Sequence, residues 1–258
     1  MLFEQTIVGP IRSRRLGRSL GVNLLPLKHK ICSYDCIYCE CGWNKESEDE
    51  VIEYVSPAQV REMLEDRLKQ LRQEGAEIDS ITFAGNGEPT LYPQFPEIVD
   101  IVTELRDKYY PNAVTTLLTN ATQLTRPEIF DALRKLDNPT LKLDAGNALM
   151  RDRINLPNEK ACTFDELVDC LKRFGGNCIV QTLLFDGVND EGEAVTNIDP
   201  EGFAKYVEIV KEIRPKYVQL YALDRATPAK HLRKLAPEEL DKYAEVIRKE
   251  GIEAKIYG

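Results

Sequence analysis

The sequence predicts an α/β chain folded as an open, partial (β/α)6 barrel, and three observations predict it. Short β-branched runs alternate with amphipathic helical stretches from one end to the other, as expected when helices cover a parallel sheet. The alternation gives six βα units, two fewer than a closed barrel of eight requires, so the sheet stays open. A chain of 258 residues buries about 75% of its unfolded surface. No Gly/Ser-rich linker interrupts it, so residues 1–258 are expected to act as one domain with a basic lead-in at 1–18.

The elements follow in order. The first strand is expected at 19–25, and the long loop 26–56 carries most of the cysteines. Ser56-Pro57 supplies a cap and a first-turn residue for a helix to about 74, with Val60, Met63, Leu64, Leu68 and Leu71 on one face. Strand two spans 80–84, a glycine-bearing loop 85–89, and a helix 95–109. Strand three covers 113–119, a short helix 127–136, strand four 140–144, a helix 163–174, and strand five 177–185. Asp199-Pro200 opens a helix to about 213, strand six is 217–222, and the last long helix is 237–249. Residues 253–257 have the pattern of one further C-terminal edge strand. Right-handed crossovers gather the C-terminal strand ends on one face, with the cysteine loop, the glycine loop, Asn120, Asp144, the 186–190 tip and Asp224-Arg225. The active site is expected there.

With 43% hydrophobic and 30% charged residues and no low-complexity tract, the chain is neither disordered, collagenous nor a coiled coil. Lys and Arg total 34 against 43 Asp and Glu, a formal charge of −9, so the surface as a whole repels a phosphate backbone. The local exception is Arg12, Arg14, Arg15 and Arg18, readable as a solvated basic turn or as an anion site. No apolar stretch approaches the ~20 residues of a membrane helix and the first ten residues lack a signal pattern, so a cytoplasmic location with no membrane partner is expected. His29 and His231 read as surface residues and offer little for histidine acid-base chemistry.

Four of the seven cysteines, Cys32, Cys36, Cys39 and Cys41, fall within ten positions, whereas Cys162, Cys170 and Cys178 are dispersed and read as small buried side chains. Such a distribution points to metal binding or redox chemistry rather than to a disulfide framework. The spacing C-x3-C-x2-C lets three thiolates converge from one wrapped loop and leaves one metal position for another ligand. Zinc would take Cys41 as its fourth ligand, although its closeness to Cys39 makes joint ligation awkward. A four-iron cluster needs only the three, and spacing alone leaves both readings open.

Two further features stand beside the spacing: Tyr38 immediately before the third cysteine, and Gly85-Asn86-Gly87-Glu88-Pro89 after strand two. Together they resemble the radical S-adenosylmethionine (SAM) superfamily, whose Gly-Gly-Glu-Pro segment this loop matches except for the inserted Asn86. The resemblance covers most of the chain. It implies a [4Fe-4S] cluster on Cys32, Cys36 and Cys39, with SAM chelating the fourth iron. An electron from a flavodoxin or ferredoxin would cleave SAM to a 5′-deoxyadenosyl radical, which abstracts hydrogen from the substrate. By the same resemblance Tyr38 would approach the adenine, Gly85, Asn86, Gly87 and Glu88 would offer main-chain acceptors to the SAM ammonium, and Asp144 would bind the ribose. Asn120 resembles part of a Thr-Asn-Gly segment, and Gln181 and Asn189 would lie near the adenine or the methionine carboxylate. The bland reading of a polar residue closing a strand, as a turn or helix cap, applies to Asp144 and Asn120 alike.

Asp224 and Arg225 follow strand six directly and are the expected substrate contacts, with Arg225 suited to a carboxylate or phosphate met bidentately. The alternative is a surface ion pair that ties down a loop. Residues 13–22, 39–42, 143–145 and 220–225 resemble a group of compact radical SAM proteins often placed with wyosine-synthesis enzymes. The acidic charge disfavours tRNA, as does the lack of cysteines before Cys32 for a second cluster. A small molecule, peptide or protein substrate is favoured. Activation of a glycyl-radical enzyme and a non-catalytic iron-sulfur or zinc protein are the remaining readings.

Overall fold

The basic segment at 12–18 forms the turn of a hairpin, in which β1 (Ile7–Ser13) runs antiparallel to β2 (Gly17–Val22) with Ser13 opposite Gly17. The sequence reading expected only the second strand, because Pro10 cannot donate to a ladder and breaks the alternation. A register shift between Val8 and Ile11 accommodates it. The structure is a computed structural model that describes residues 2–44, 52–189 and 192–257. Part of the expected cysteine-bearing loop, 45–51, and Asp190 lie outside the described residues. The chain forms two compact units, one of Met1–Cys32, Asn44–Thr119 and Arg126–Pro139, the other of Ser33–Trp43, Asn120–Thr125 and Thr140–Gly258.

In the first unit β2 continues into a parallel arrangement with β3 (Ser80–Phe83) and β4 (Val114–Thr119), between which lie α1 (Pro57–Gln73) and α2 (Phe95–Tyr109). The expected cap at Ser56 is present as a reciprocal box. The Ser56 Oγ accepts from the Gln59 N–H at 3.3 Å and the Ser56 N–H donates to Gln59 Oε1 at 3.0 Å. Val60, Leu64, Leu68 and Leu71 are buried, whereas Met63, expected with them, is exposed at the margin of the apolar stripe. Alternation splits the strands chemically. Leu20, Ile81, Phe83 and Leu117 are buried aliphatic or aromatic positions, and Ser19, Thr82, Ser80 and Thr116 join in a buried hydroxyl chain at 2.7–3.0 Å. The helix α3 (Pro127–Leu133) ends three residues before its expected limit.

The second unit takes the last three residues of β5 (Asn138–Lys142), so Asp144 lies two residues past the strand rather than at its end. The helix α4 (Ala148–Asn155), capped by Asn147, was not expected, because its eight residues carry a single buried aliphatic, Ile154. After α5 (Phe164–Phe174) the expected fifth strand divides into β6 (Ile179–Leu183) and β7 (Phe185–Val188). The break is held by Asn197, whose amide donates to the Leu183 carbonyl at 2.6 Å and accepts from the Phe185 N–H at 3.1 Å. Then come α6 (Pro200–Ile213), β8 (Tyr217–Tyr221), β9 (His231–Lys234), α7 (Pro237–Lys249) and β10 (Ala254–Tyr257). The strands β5, β6, β8 and β10 run parallel in that order, and β10 is the additional C-terminal strand. The unexpected β9 pairs antiparallel with β7 in a separate ribbon.

Candidate active site

Within the second unit the residues after Cys32 are suspended from the end of α4. The Asp35 N–H donates to the Asn155 carbonyl at 2.9 Å, and the Ile37 N–H to the Ile154 carbonyl at 3.0 Å. These carbonyls have no partner inside a helix that stops at Asn155, with Leu156 in the left-handed region, so an outside donor satisfies them. The Cys39 N–H turns back onto the Cys36 carbonyl at 3.0 Å, and the Gly42 N–H onto that of Cys39 at the same distance. The loop is therefore wound by its own backbone.

Six side chains meet there. Tyr38 donates its hydroxyl to Asp144, and the Asn155 amide donates to Tyr38 Oη at 2.9 Å, Asp144 Oδ2 at 3.1 Å and Cys36 Sγ at 3.3 Å. Lys142 Nζ lies 3.4 Å from Asp144 Oδ2 and donates to the Tyr221 hydroxyl at 2.8 Å, with the Tyr38 and Tyr221 ring centres 5.1 and 5.2 Å away. The Leu183 N–H completes the shell of Asp144, donating to Oδ1 at 3.0 Å. Burial pushes the Cys36 thiol up to about 11, against the opposing pull of Lys142 and the Asn155 amide. Burial and then the Asp144 charge hold the Tyr38 phenol well above its usual range. Burial works against the Lys142 cation, but Asp144, Tyr221 and Cys36 together outweigh it and keep the ammonium charged.

The Asp144 carboxylate is thus wholly enclosed and accepts from protein donors. Gln181, on β6, donates to Gln219 Oε1 at 3.0 Å across the β6–β8 pair. The Asn120 amide donates to Ser33 Oγ at 2.8 Å and accepts from Thr122, fixing the residue after Cys32. Asn189 accepts from the Glu193 N–H at 2.8 Å and donates to its carboxylate at 3.1 Å, closing its own loop. Asp224 and Arg225 do not pair with one another. Asp224 lies 3.6 Å from Lys234 Nζ, and Arg225 donates to Glu40 at 3.0 Å.

In the first unit the glycine loop encloses Ile31. The Ile31 N–H donates to the Asn86 carbonyl at 2.9 Å, and the Glu88 N–H to the Ile31 carbonyl at 2.9 Å. A Cβ on Gly87, whose φ is +131°, would lie 1.8 Å from the Ile31 carbonyl oxygen, so only glycine fits this approach. Of the expected main-chain acceptors, the Gly85 carbonyl takes the Gly87 N–H and the Asn86 carbonyl the Ile31 N–H, each keeping a second lone pair. The inserted Asn86 is fully buried. It accepts from the Phe3 N–H at 2.7 Å and donates to the Phe3 and Pro26 carbonyls at 3.0 and 2.9 Å. The Glu88 carboxylate accepts from Thr119 and Thr90 hydroxyls at 2.6 Å each and caps the turn Pro89–Leu91. The Asn44 amide donates to the Cys32 carbonyl at 3.3 Å.

Lys142, Asn155, Gln219 and Glu40 contact expected site residues, and Tyr221 contacts Lys142, without having been expected themselves. A lysine closing β5, two residues before Asp144, was a usable signal. Nothing marked Asn155, since its helix was not expected. Of the dispersed cysteines Cys170 and Cys178 are buried and Cys162 is half-buried, and His29 is half-buried rather than on the surface. A cavity of about 660 Å³ lies along α4 and the start of α6, lined by residues such as Leu149, Met150, Arg153 and Lys205, and none of the expected site residues lines it. The much smaller one of about 10 Å³ lies among Tyr34, Lys142, Asp144, Arg151 and Asn155, room for one water. Among the described residues no three His, Cys, Asp or Glu side chains gather at a point that could hold a single metal ion. No helix among them is long and apolar enough to cross a membrane.

The model of the Radical SAM superfamily matches residues 28–197. A UPF0026 protein of Helicobacter pylori is 32% identical over 240 residues, covering 91% of this chain and 71% of that one. A protein of Brachyspira hyodysenteriae named GTPase Obg is 33% identical over 245 residues, 93% of this chain but a third (33%) of its own length. Among solved structures, a radical SAM methyltransferase from Sphaerobacter thermophilus superimposes with a TM-score of 0.65 at 18% identity, covering 93% of this chain and 65% of that chain. TYW1 with a lysine-pyruvate adduct bound gives 0.62 at 17% identity, covering 90% and 73%. Streptococcus suis SuiB bound to S-adenosylmethionine gives 0.63 at 17%, covering 92% and 50%. At these identities the structures share the fold, the mixed α/β architecture expected from the sequence. Radical SAM proteins in general bind a 4Fe-4S cluster and SAM and need a reductant. With the family model spanning the cysteine loop, the glycine loop and Asp144, the chain belongs to the radical SAM superfamily and is a radical SAM enzyme.

Proposed function

We propose that Cys32, Cys36 and Cys39 hold a [4Fe-4S] cluster and that the chain binds SAM against it, cleaving SAM reductively to start hydrogen abstraction from a substrate. The observation that carries this reading is the setting of Cys36: its buried sulfur receives an N–H from Asn155 and lies in the field of the Lys142 ammonium. Both offset part of the cost that burial places on a ligand sulfur bearing negative charge.

When bound, the cluster supplies the electron that breaks a carbon–sulfur bond of SAM, and the hard chemistry is the cofactor's. The chain's own residues bind and orient. Gly85–Glu88 give SAM a rigid backbone edge, held because Gly87 closes on Ile31. Tyr38 and Asp144 form a buried pair that sets the ribose and adenine side, with Gln181, Asn120 and Asn189 as further SAM contacts. Asp224 and Arg225 meet the substrate. The electron comes from a flavodoxin or ferredoxin, and the substrate is a small molecule, peptide or protein; the likeness to TYW1 is one of fold, and the charge of −9 weighs against tRNA.

The test is anaerobic reconstitution with iron and sulfide followed by assay of 5′-deoxyadenosine under a chemical reductant. The expected result is about four irons per chain and a SAM-dependent product. A stoichiometric zinc protein that yields no 5′-deoxyadenosine would overturn the reading.

A further inference from the structure

We infer that Asn155 is a positioning residue that sets the reduction potential of the cluster through an N–H···S hydrogen bond to Cys36, an inference that rests on the cluster assignment above. Asn155 is 2% exposed, and its amide nitrogen faces three acceptors: Cys36 Sγ at 3.3 Å, Tyr38 Oη at 2.9 Å and Asp144 Oδ2 at 3.1 Å. The orientation of the amide follows from chemistry. Turned over, its oxygen would face the Asp144 carboxylate, which has nothing to donate, and the Tyr38 hydroxyl, whose proton already goes to Asp144, so the NH2 side points there.

The donor and the sulfur are also fixed to one another by the main chain. The carbonyls of Ile154 and Asn155 take the N–H groups of Ile37 and Asp35, the residues on either side of Cys36. The end of α4 therefore holds both partners of the N–H···S bond, and the contact does not depend on a flexible side chain finding its target. Tyr38 and Asp144 in turn hold the amide from the other side, and its two hydrogens are shared among these three acceptors.

Reduction adds negative charge to the cluster and its thiolates. A fixed N–H dipole aimed at a ligand sulfur stabilises that charge, more so for a buried sulfur, and raises the potential. Asn155 lies in a helix outside the cysteine and glycine motifs, so its effect is separable from ligation.

The experiment is a potentiometric titration monitored by electron paramagnetic resonance on anaerobically reconstituted wild type, Asn155→Leu and Tyr38→Phe. With iron and sulfide content equal to wild type, Asn155→Leu should show a more negative midpoint. Tyr38→Phe keeps the N–H···S bond and should move it less. An unchanged midpoint in a fully loaded Asn155→Leu protein overturns the inference and leaves the cluster assignment standing, whereas failure of the wild type to assemble any cluster overturns both. Should Asn155→Leu fail to fold, pulsed resonance on protein carrying ¹⁵N-labelled asparagine, in an Asn44→Gln background, decides. A ¹⁵N coupling to the reduced cluster supports the bond, and its absence overturns it.

Discussion

Arg225 donates to Glu40 across 3.0 Å, joining the chain after β8 to the residue between Cys39 and Cys41. Both side chains are largely exposed, so the pair contributes under about 1 kcal/mol. Arg225→Ala should therefore barely move the denaturation midpoint and leave SAM cleavage without added substrate within about twofold. A large loss of that basal cleavage would place Arg225 on SAM rather than on the substrate.

Cys41 should be dispensable for the cluster. Cys41→Ala is expected to retain iron content and 5′-deoxyadenosine yield, and Cys36→Ala to lose both. Iron analysis and the visible absorption band decide, and the reverse pattern would move the ligand set.

Asp144→Asn leaves the Lys142 ammonium buried without its counter-charge, which costs about 3–5 kcal/mol. Chemical denaturation should show that loss, and Lys142→Met in the same chain should recover much of it, because removing both charges ends the imbalance. If Asp144 also holds the SAM ribose, affinity for SAM falls by about 1.5–3 kcal/mol in Asp144→Asn with the cluster intact, read by isothermal titration.

Gly87→Ala places a methyl 1.8 Å from the Ile31 carbonyl oxygen, whereas Gly75→Ala and Gly251→Ala meet nothing within 4 Å. The latter two carry only the strain of a positive φ, about 1–2 kcal/mol. Gly87→Ala should lower the unfolding midpoint well beyond either of them. Equal losses in the three variants would mean that the glycine loop opens without consequence.

Acid should weaken the hairpin's anchor. Arg18 holds the Asp79 carboxyl down from 3.8 to about 2 through paired hydrogen bonds. A depressed carboxyl stabilises the fold above its unfolded value, and that contribution disappears as pH falls from about 4 to about 2. The pair is exposed and screened by solvent, so its contribution is small. Wild type and Arg18→Ala should differ in denaturation midpoint at pH 6 and converge near pH 2.

The sequence by itself determined the elements whose local signals agree. The Ser56 box with its apolar face at Val60, Leu64, Leu68 and Leu71, the helix Phe95–Tyr109, and the helix Pro237–Lys249 were all legible, because a side-chain cap in the first, a first-turn proline in each, and 3.6-residue periodicity act within a few residues. The three-cysteine spacing and the glycine loop were legible for the same reason, being local constraints on a backbone. Tertiary structure alone decided what depends on partners distant in the chain. Strand β1 exists because β2 pairs with it, and β7 because β9 does. The short helix α4 is stable because its final carbonyls receive N–H groups from the cysteine loop 117–120 residues away in sequence, a distance over which no periodicity carries information. The enclosure of Asp144 by Tyr38, Asn155 and Lys142 belongs to that second kind. A carboxylate near a strand end is visible in the sequence, but the donors that meet it are chosen by burial, which forces every polar atom brought inside to find a partner wherever the fold supplies one.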